Sequence, residues 1–439
     1  WARSKAHMRR WNLSHYAISS CVAAALLAGC GGSQPPIGVP GAMPQASALA
    51  SRTAGTNYKV VYSFGAIPDG NFPRGSLIDV DGTLYGTTDE GGLYSYGCSD
   101  YGNCGTVFAI TPSGTEKVLH SFGDTTDGAS PVASLIEVKG TLYGTTLQGG
   151  ENRCSRYYAG CGTVFSITPS GTEKVLHNFG AGIDGFQPFA PLIDVKGTLY
   201  GTTYLDGGNY CGYYPGESCG TVFTITTGGT ESVVYRFTSG GGGFGPKAGL
   251  LNVGGKMYGT TYGFGAYHHD RSSTVFSITR GGKEKTLHTF GKGTDGVHPH
   301  ASLIEVAGTL YGTTYSGGAY NRGTVFSITP SGSEKVLHSF GYGTDGAFPI
   351  ASLIALKGTL YGTTEEGGDH SGGCAGTGCG TVFSLTTGGT ETVLHNFGGK
   401  RKDDGAEPLS GLLNVDSTLY GTTGIGGKHN DGTIFALTL

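Results

Sequence analysis

The chain has 439 residues, 83 of them glycine, against about 7% glycine in an ordinary soluble domain, so long helices are excluded. Glycine and proline together fall short of a structureless low-complexity chain, and no three-residue glycine period is present, which excludes collagen. Charged residues make up 14% and the formal net charge is −4, leaving no basic face for a phosphate backbone, so nucleic acid is not an expected partner.

Taken in chain order, the first methionine, Met8, is the expected start, and Trp1 to His7 read as upstream or artefactual sequence. Arg9 and Arg10 lead into an apolar run from Ala17 to Leu27, too short for a permanent span and built like a signal peptide, placed at residues 8–29. It ends in Leu27-Ala28-Gly29-Cys30, which resembles the lipobox of bacterial lipoproteins. Cys30 is therefore the expected lipidation site, and a membrane the expected partner through that lipid. Residues 30–56 are rich in Gly, Pro, Ser and Ala without apolar alternation, as in a flexible tether. No later segment is apolar for 18 residues, and the last residues, TIFALTL, read as a strand, so no second anchor is expected.

Residues 57–439 repeat one unit. LYGTT, once MYGTT, recurs with its tyrosine at Tyr85, Tyr143, Tyr200, Tyr258, Tyr311, Tyr361 and Tyr420, at spacings of 50 to 59 residues. Each copy reads as ASLIEV, a tight Lys-Gly or Asp-Gly turn, TLYGTT, a variable loop, GTVFSIT, a second turn, and EKVLHSF. The β-branched and aromatic residues favour strands, and glycine is expected where the backbone turns with positive φ. Four strands per unit cannot bury both sheet faces alone, so the copies must stack, which predicts an all-β seven-bladed β-propeller. The last copy lacks its fourth strand, whereas the orphan Tyr58 to Phe64 matches EKVLHSF. The N-terminal strand is expected to complete blade seven and close the ring.

The frame LYGTT…GG…GTVFSITPSGTEKVLHSFG resembles the GloVer repeat of the bacterial choice-of-anchor tandem repeat proteins over essentially all of residues 58–439. The resemblance implies a surface repeat protein, here with the lipobox cysteine as anchor. It brings no catalytic residues with it.

Eight cysteines lie in the repeats as local pairs, Cys98/Cys104, Cys154/Cys161, Cys211/Cys219 and Cys374/Cys379, the second of each directly preceding GTVF. Disulfides are expected, each fixing a loop and persisting only outside the cytoplasm. Zinc is the rival, but the pairs point outward around a ring and do not converge. The predicted address is the cell envelope or cell surface, and the predicted state a monomer.

Because the other two turns of each unit barely vary, the loop between strands two and three and the inter-blade loop form the candidate working face. It carries Tyr94, Tyr96 and Tyr101 in blade one, Tyr157 and Tyr158 in blade two, Tyr204, Tyr210, Tyr213 and Tyr214 in blade three, and Tyr262, Tyr267, Tyr315 and Tyr320 in blades four and five. Tyrosine among Gly, Ser and Asn provides rigid contact area at low entropic cost. Such rings can bind a glycan or a surface protein, or can cover the loops by packing on each other. The repeated Asp69, Asp127, Asp184, Asp295, Asp345 and Asp404 read as turn residues before glycine, and His120, His177, His288, His338 and His395 as half-buried rim side chains.

Blade four breaks the frame. It lacks the cysteine pair and the Asp-Gly, and its loops carry His268, His269, Asp270, His298 and His300. No cofactor is expected, but these could converge as zinc or copper ligands for a divalent metal, or could be ordinary surface histidines. The reading is a lipid-anchored binding module. The alternative is a polysaccharide lyase or hydrolase at the channel mouth, for which Asp89, Glu90, Glu365 and Glu366 are scattered in sequence. A quinone-dependent dehydrogenase is disfavoured, because Trp1 and Trp11 both precede the repeats and leave no tryptophan to dock the blades.

Overall fold

The computed structural model describes residues 57–65, 67–93, 104–123, 126–152, 154, 160–205, 219–238, 243–263, 273–341, 344–369, 374, 376–398 and 403–439. The expected signal peptide, Cys30 and the tether lie outside them. The described residues form strands and turns with no helix, arranged as seven four-stranded antiparallel sheets, the blades of a β-propeller. Blade one runs from the axis outward as Ile78–Val80, Thr83–Thr88, Thr106–Ile110 and Glu116–Ser121. The turn joining its first two strands, Asp81-Gly82, has φ of 52° and 80°, and Lys139-Gly140 and Lys196-Gly197 repeat that geometry. Two successive positive φ values match the twist of a two-residue hairpin.

The ring closes where the two ends of the repeat region meet. Asn57–Ser63 pairs antiparallel with Thr433–Thr438, Asn57 opposite Thr438 and Ser63 opposite Thr433, and becomes the outer strand of blade seven. Around the axis the short first strands of neighbouring blades lie beside one another. The Ser76 backbone N–H donates to Ser134 Oγ of the next blade at 2.8 Å, and the Gly411 N–H donates to Ser76 Oγ at 2.9 Å.

Phenylalanine docks the blades. Phe122, just past the outer strand of blade one, meets Phe165 of blade two edge-on, with centroids 5.1 Å apart. Equivalent pairs join every other blade to its neighbour, from Phe64 with Phe108 at 5.3 Å to Phe397 with Phe435 at 5.1 Å across the seam. The second ring of each pair lies on the glycine of LYGTT. A Cβ on Gly201 would stand 2.4 Å from the Phe223 ring, and no other of the seven equivalents leaves more than 2.7 Å. That glycine sits within a strand, has no positive φ and answers a close approach. Threonines complete the joint: Thr146 and Thr163 Oγ1 lie 2.8 Å apart within blade two, and Thr145 Oγ1 donates to the Ala190 carbonyl of blade three at 3.4 Å.

At the outer rim the repeated histidines and aspartates form one unit. His120 Nε2 lies 2.9 Å from Asp127 Oδ2, His177 3.0 Å from Asp184, His288 2.9 Å from Asp295 and His338 3.2 Å from Asp345. The aspartates also accept backbone N–H groups, as the turn reading expects: Asp69 Oδ2 from Gly65 and Oδ1 from Gly70. The glycine that follows takes positive φ at Gly128 and Gly185. At Gly70 and Gly296, where it does not, a Cβ would meet a threonine hydroxyl at 2.1 Å. A glutamate from the next blade faces each pair, and burial together with the Asp345 charge raises Glu391 to about 7. At the seam Tyr58 takes the place of that glutamate. Its hydroxyl donates to Asp404 Oδ1 at 2.5 Å and its ring stacks on His395 at 3.7 Å.

Two outcomes test this account. Gly201→Ala drives a methyl group into the Phe223 ring and should destabilise the protein by about 1–3 kcal/mol, read from urea unfolding. Phe64→Ala should cost about 3–5 kcal/mol, and deleting Tyr58 to Phe64 more than that, because the deletion also strips Thr433–Thr438 of its strand partner.

Candidate functional site at the axial mouth

The loop face is built on a regular backbone. Phe72, Ser130, Gln187, Gly245, His298, Phe348 and Glu407 each precede the inter-blade proline, and all have φ between 55° and 63°. Six are not glycine, so the left-handed turn is held by its bonds. The carbonyl of each accepts the N–H of the residue ending its blade's second strand: Phe72 from Asp89, His298 from Tyr315, Phe348 from Glu365. In most blades its own N–H donates to the previous blade, as Gln187 does to the Cys161 carbonyl. Blade four has Ser273 where others have glycine, and there His298 N–H bonds Ser273 Oγ at 3.0 Å.

This frame sets side chains from all blades around one mouth, and there the repeat stops repeating. One residue past the proline stand Arg74, Val132, Phe189, Lys247, His300, Ile350 and Leu409. At the end of the second strand stand Asp89, Leu147, Tyr204, Tyr262, Tyr315, Glu365 and Gly424. An aromatic arc crosses blades three to five. Phe189 meets Tyr204 edge-on at 5.5 Å, and Tyr204 lies 6.5 Å from Tyr262. Tyr262 stacks on His298 at 4.7 Å and meets the His300 edge at 4.7 Å, and His300 lies 5.3 Å from Tyr315. Lys247 Nζ sits within the arc, 4.1 Å from the Tyr262 ring centre, 4.8 Å from Tyr204 and 5.2 Å from Phe189. Across the mouth Arg74 pairs with Asp89 at 3.5 Å.

The charges reach one another. Burial, with the Arg74 charge added, lowers Lys247 to about 8. Burial and then the Lys247 charge hold His300 well below its ordinary value, and the same two causes lower His298. Burial raises Glu365 to about 7, Glu407 and Glu366 adding repulsion while Arg74 and the Tyr315 hydroxyl pull it down. At neutral pH the mouth therefore holds neutral imidazoles, a lysine that gives up its proton more readily than usual and a carboxyl near its midpoint, the setting in which acid–base and binding groups are found.

Of the tyrosines expected on this face, Tyr204, Tyr262 and Tyr315 converge on the mouth, and Tyr320 lies out on its loop, 50% exposed. Tyr94, Tyr96, Tyr101, Tyr157, Tyr158, Tyr210, Tyr213, Tyr214 and Tyr267 lie outside the described residues, as do His268, His269 and Asp270. His298 and His300 flank Tyr262, and His298 Nδ1 lies 2.9 Å from Ser316 Oγ. Among the described residues the one set with metal-type spacing is at the rim, His288, Asp295 and Glu334, with ligand atoms within 4.8 Å. There His288 Nε2 and Asp295 Oδ2 already bond each other. Cys154–Cys161 and Cys374–Cys379 are disulfides, and Cys104 and Cys219 are disulfide-bonded, with Cys98 and Cys211 outside the described residues. Arg74, Lys247 and Phe189 were not anticipated. Aligning the repeats on the inter-blade proline exposes them, because the next residue changes in every blade while its surroundings hold.

Stability should follow these protonations. Glu116, Glu365 and Glu391 are each raised to about 7 in the folded chain, the first two chiefly by burial as for Glu391. The native state thus holds protons that the unfolded state releases from about 4.5. Stability should fall as pH rises from about 4.5 through 7. Lys247 acts oppositely: lowered to about 8, it should restore stability between about 8 and 10.5. Calorimetry across that range should show a minimum between the two, with Glu391→Gln flattening the acid limb and Lys247→Met the alkaline one.

Among solved structures, a gluconolactonase from Xanthomonas campestris is 13% identical, with 90% of this chain and 93% of that one covered and a TM-score of 0.42. A luciferin-regenerating enzyme is 12% identical, covering 88% and 96% at a TM-score of 0.40. The quinohemoprotein alcohol dehydrogenase ADHIIG from Pseudomonas putida is 10% identical, covering 87% and 76% at 0.48. No curated protein matches the sequence. The profile of the Gloeobacter/Verrucomicrobia repeat matches residues 47–215, and the frame found there runs on through the later blades to Leu439. Residues 47–215 therefore carry the Gloeobacter/Verrucomicrobia repeat, and copies of the same unit recur around a closed seven-bladed ring.

Proposed function

We propose that this protein is a glycan-binding module that holds its ligand at the axial mouth of the loop face, outside the cytoplasm and tethered to a membrane through Cys30. The observation that carries the reading is the aromatic arc of Phe189, Tyr204, Tyr262 and Tyr315, gathered from three consecutive blades around side chains that no other blade repeats. Aromatic rings stack on sugar faces, and hydroxyl and imidazole groups at their edges bond sugar hydroxyls. The address is supported by the lipobox and by disulfides, which persist in oxidising compartments.

A second reading rests on the same mouth. Lys247 and Glu365 are unlike groups whose proton affinities are drawn toward neutrality, with His300 beside them held in its neutral form, and groups of that kind serve acid–base cleavage of a polysaccharide. With His298 and His300 largely neutral, a divalent metal could be part of such a site.

Calorimetric titration of the protein against a panel of neutral and acidic oligosaccharides separates the readings. Binding without product should appear, and Tyr262→Ala should weaken it at least about tenfold, a loss of about 1.4 kcal/mol. Binding unchanged in Tyr262→Ala would sink the module reading. Product formation abolished in Glu365→Gln would establish the enzyme.

A further inference from the structure

We propose that Lys247 is the anion subsite of this mouth and takes the carboxylate of a uronic acid, so that the ligand is an acidic glycan. The inference rests on the glycan-binding reading and narrows it.

Three observations carry it. First, the repeat does not call for a cation here: the same position holds Val132, Phe189, Ile350 and Leu409 in other blades, so an apolar side chain satisfies the fold. Second, the Lys247 side chain is partly buried, and no hydrogen bond or carboxylate partner meets its ammonium among the described residues. Its neighbours are the faces of Tyr262, Tyr204 and Phe189 at 4.1–5.2 Å. Rings attract a cation but offer no acceptor for its three N–H donors. A desolvated ammonium with unused donors is costly to a protein that binds nothing there. Third, the charge felt at Lys247 is of its own sign. Arg74 pushes its proton off, and Lys247 in turn pushes on His298 and His300. The carboxyls of this mouth act elsewhere: Asp89 holds Arg74, and Glu365 faces Tyr315, Glu366 and Glu407. An incoming anion would supply the missing acceptors and relieve this repulsion together, while the sugar bearing it meets aromatic walls. A carboxylate fixed to a pyranose ring offers both features in one residue.

The test titrates the full chain with a short oligouronate, its carboxyl-reduced neutral counterpart and a sulfated neutral oligosaccharide of the same length. Wild type, Lys247→Met and Lys247→Arg are compared at two salt concentrations. Wild type should bind the oligouronate at least about tenfold more tightly than the reduced form, with affinity falling as salt rises. Lys247→Met should erase that preference while keeping neutral binding, with a melting temperature no lower than that of wild type, and Lys247→Arg should retain part of the preference. In parallel, 13C-methylated lysine signals, assigned by their loss in Lys247→Met, should show the Lys247 midpoint moving upward on adding oligouronate. Equal affinity for the charged and reduced oligomers, or an unchanged preference in Lys247→Met, would overturn the anion subsite and leave the glycan reading standing. Tighter binding of the sulfated sugar would overturn the choice of carboxylate. Failure of all three sugars to bind would remove the glycan reading itself.

Discussion

The ring depends on how closely one blade can approach the next. At every interface a phenylalanine edge meets a second phenylalanine, which lies against the backbone of a glycine with no room for a Cβ. Side chains packed at this density tolerate no added methylene without strain, so the glycine of LYGTT and the phenylalanine of GTVF form one steric unit. Because every joint uses the same two residues, the blades are wedges of one shape. Seven wedges then close with a single N-terminal strand paired across the seam, so that Thr433–Thr438 is not left an open outer edge.

Around that joint the polar groups are sorted by radius. Near the axis, serine hydroxyls and backbone N–H groups tie adjacent first strands. At mid-radius paired threonines satisfy each other within a blade. At the rim a histidine, an aspartate and the next blade's glutamate meet, partly desolvated, and the glutamates take up protons more readily than usual. Blade three, whose Tyr235 hydroxyl lies 3.5 Å from Glu284, and the seam, where Tyr58 replaces the glutamate, keep the geometry with different chemistry. The rim is a set of structural clasps, which explains why the histidines recur without belonging to the mouth.

The mouth follows the opposite logic. A repeated left-handed turn places one side chain per blade on each of two concentric rings, and since the turn is held by backbone bonds, the side chain it presents is free to vary. Symmetry of the backbone thus permits asymmetry of the site. Arginine, lysine, imidazole, phenol and carboxyl groups come within electrostatic reach although they are distributed from Arg74 to Glu407 along the chain.

The sequence by itself determined the periodic part of this protein. Strand count, hairpin turns, the closing strand at Tyr58 to Phe64 and the local pairs Cys154/Cys161 and Cys374/Cys379 were legible, because each rests on a pattern of spacing that repeated copies share. What a spacing cannot show is distance across the ring. Asp69 and Tyr62, or His120 and Asp127, lie seven residues apart and bond only because the strand end folds back over the loop. Gly201 stands in a predicted strand, and its need for glycine shows only where the Phe223 ring lies upon it. Lys247 and Arg74 stand three blades apart, and only closure of the ring makes the charge of one act on the proton of the other. The site was left to the tertiary structure because its members share no motif. They share an axis.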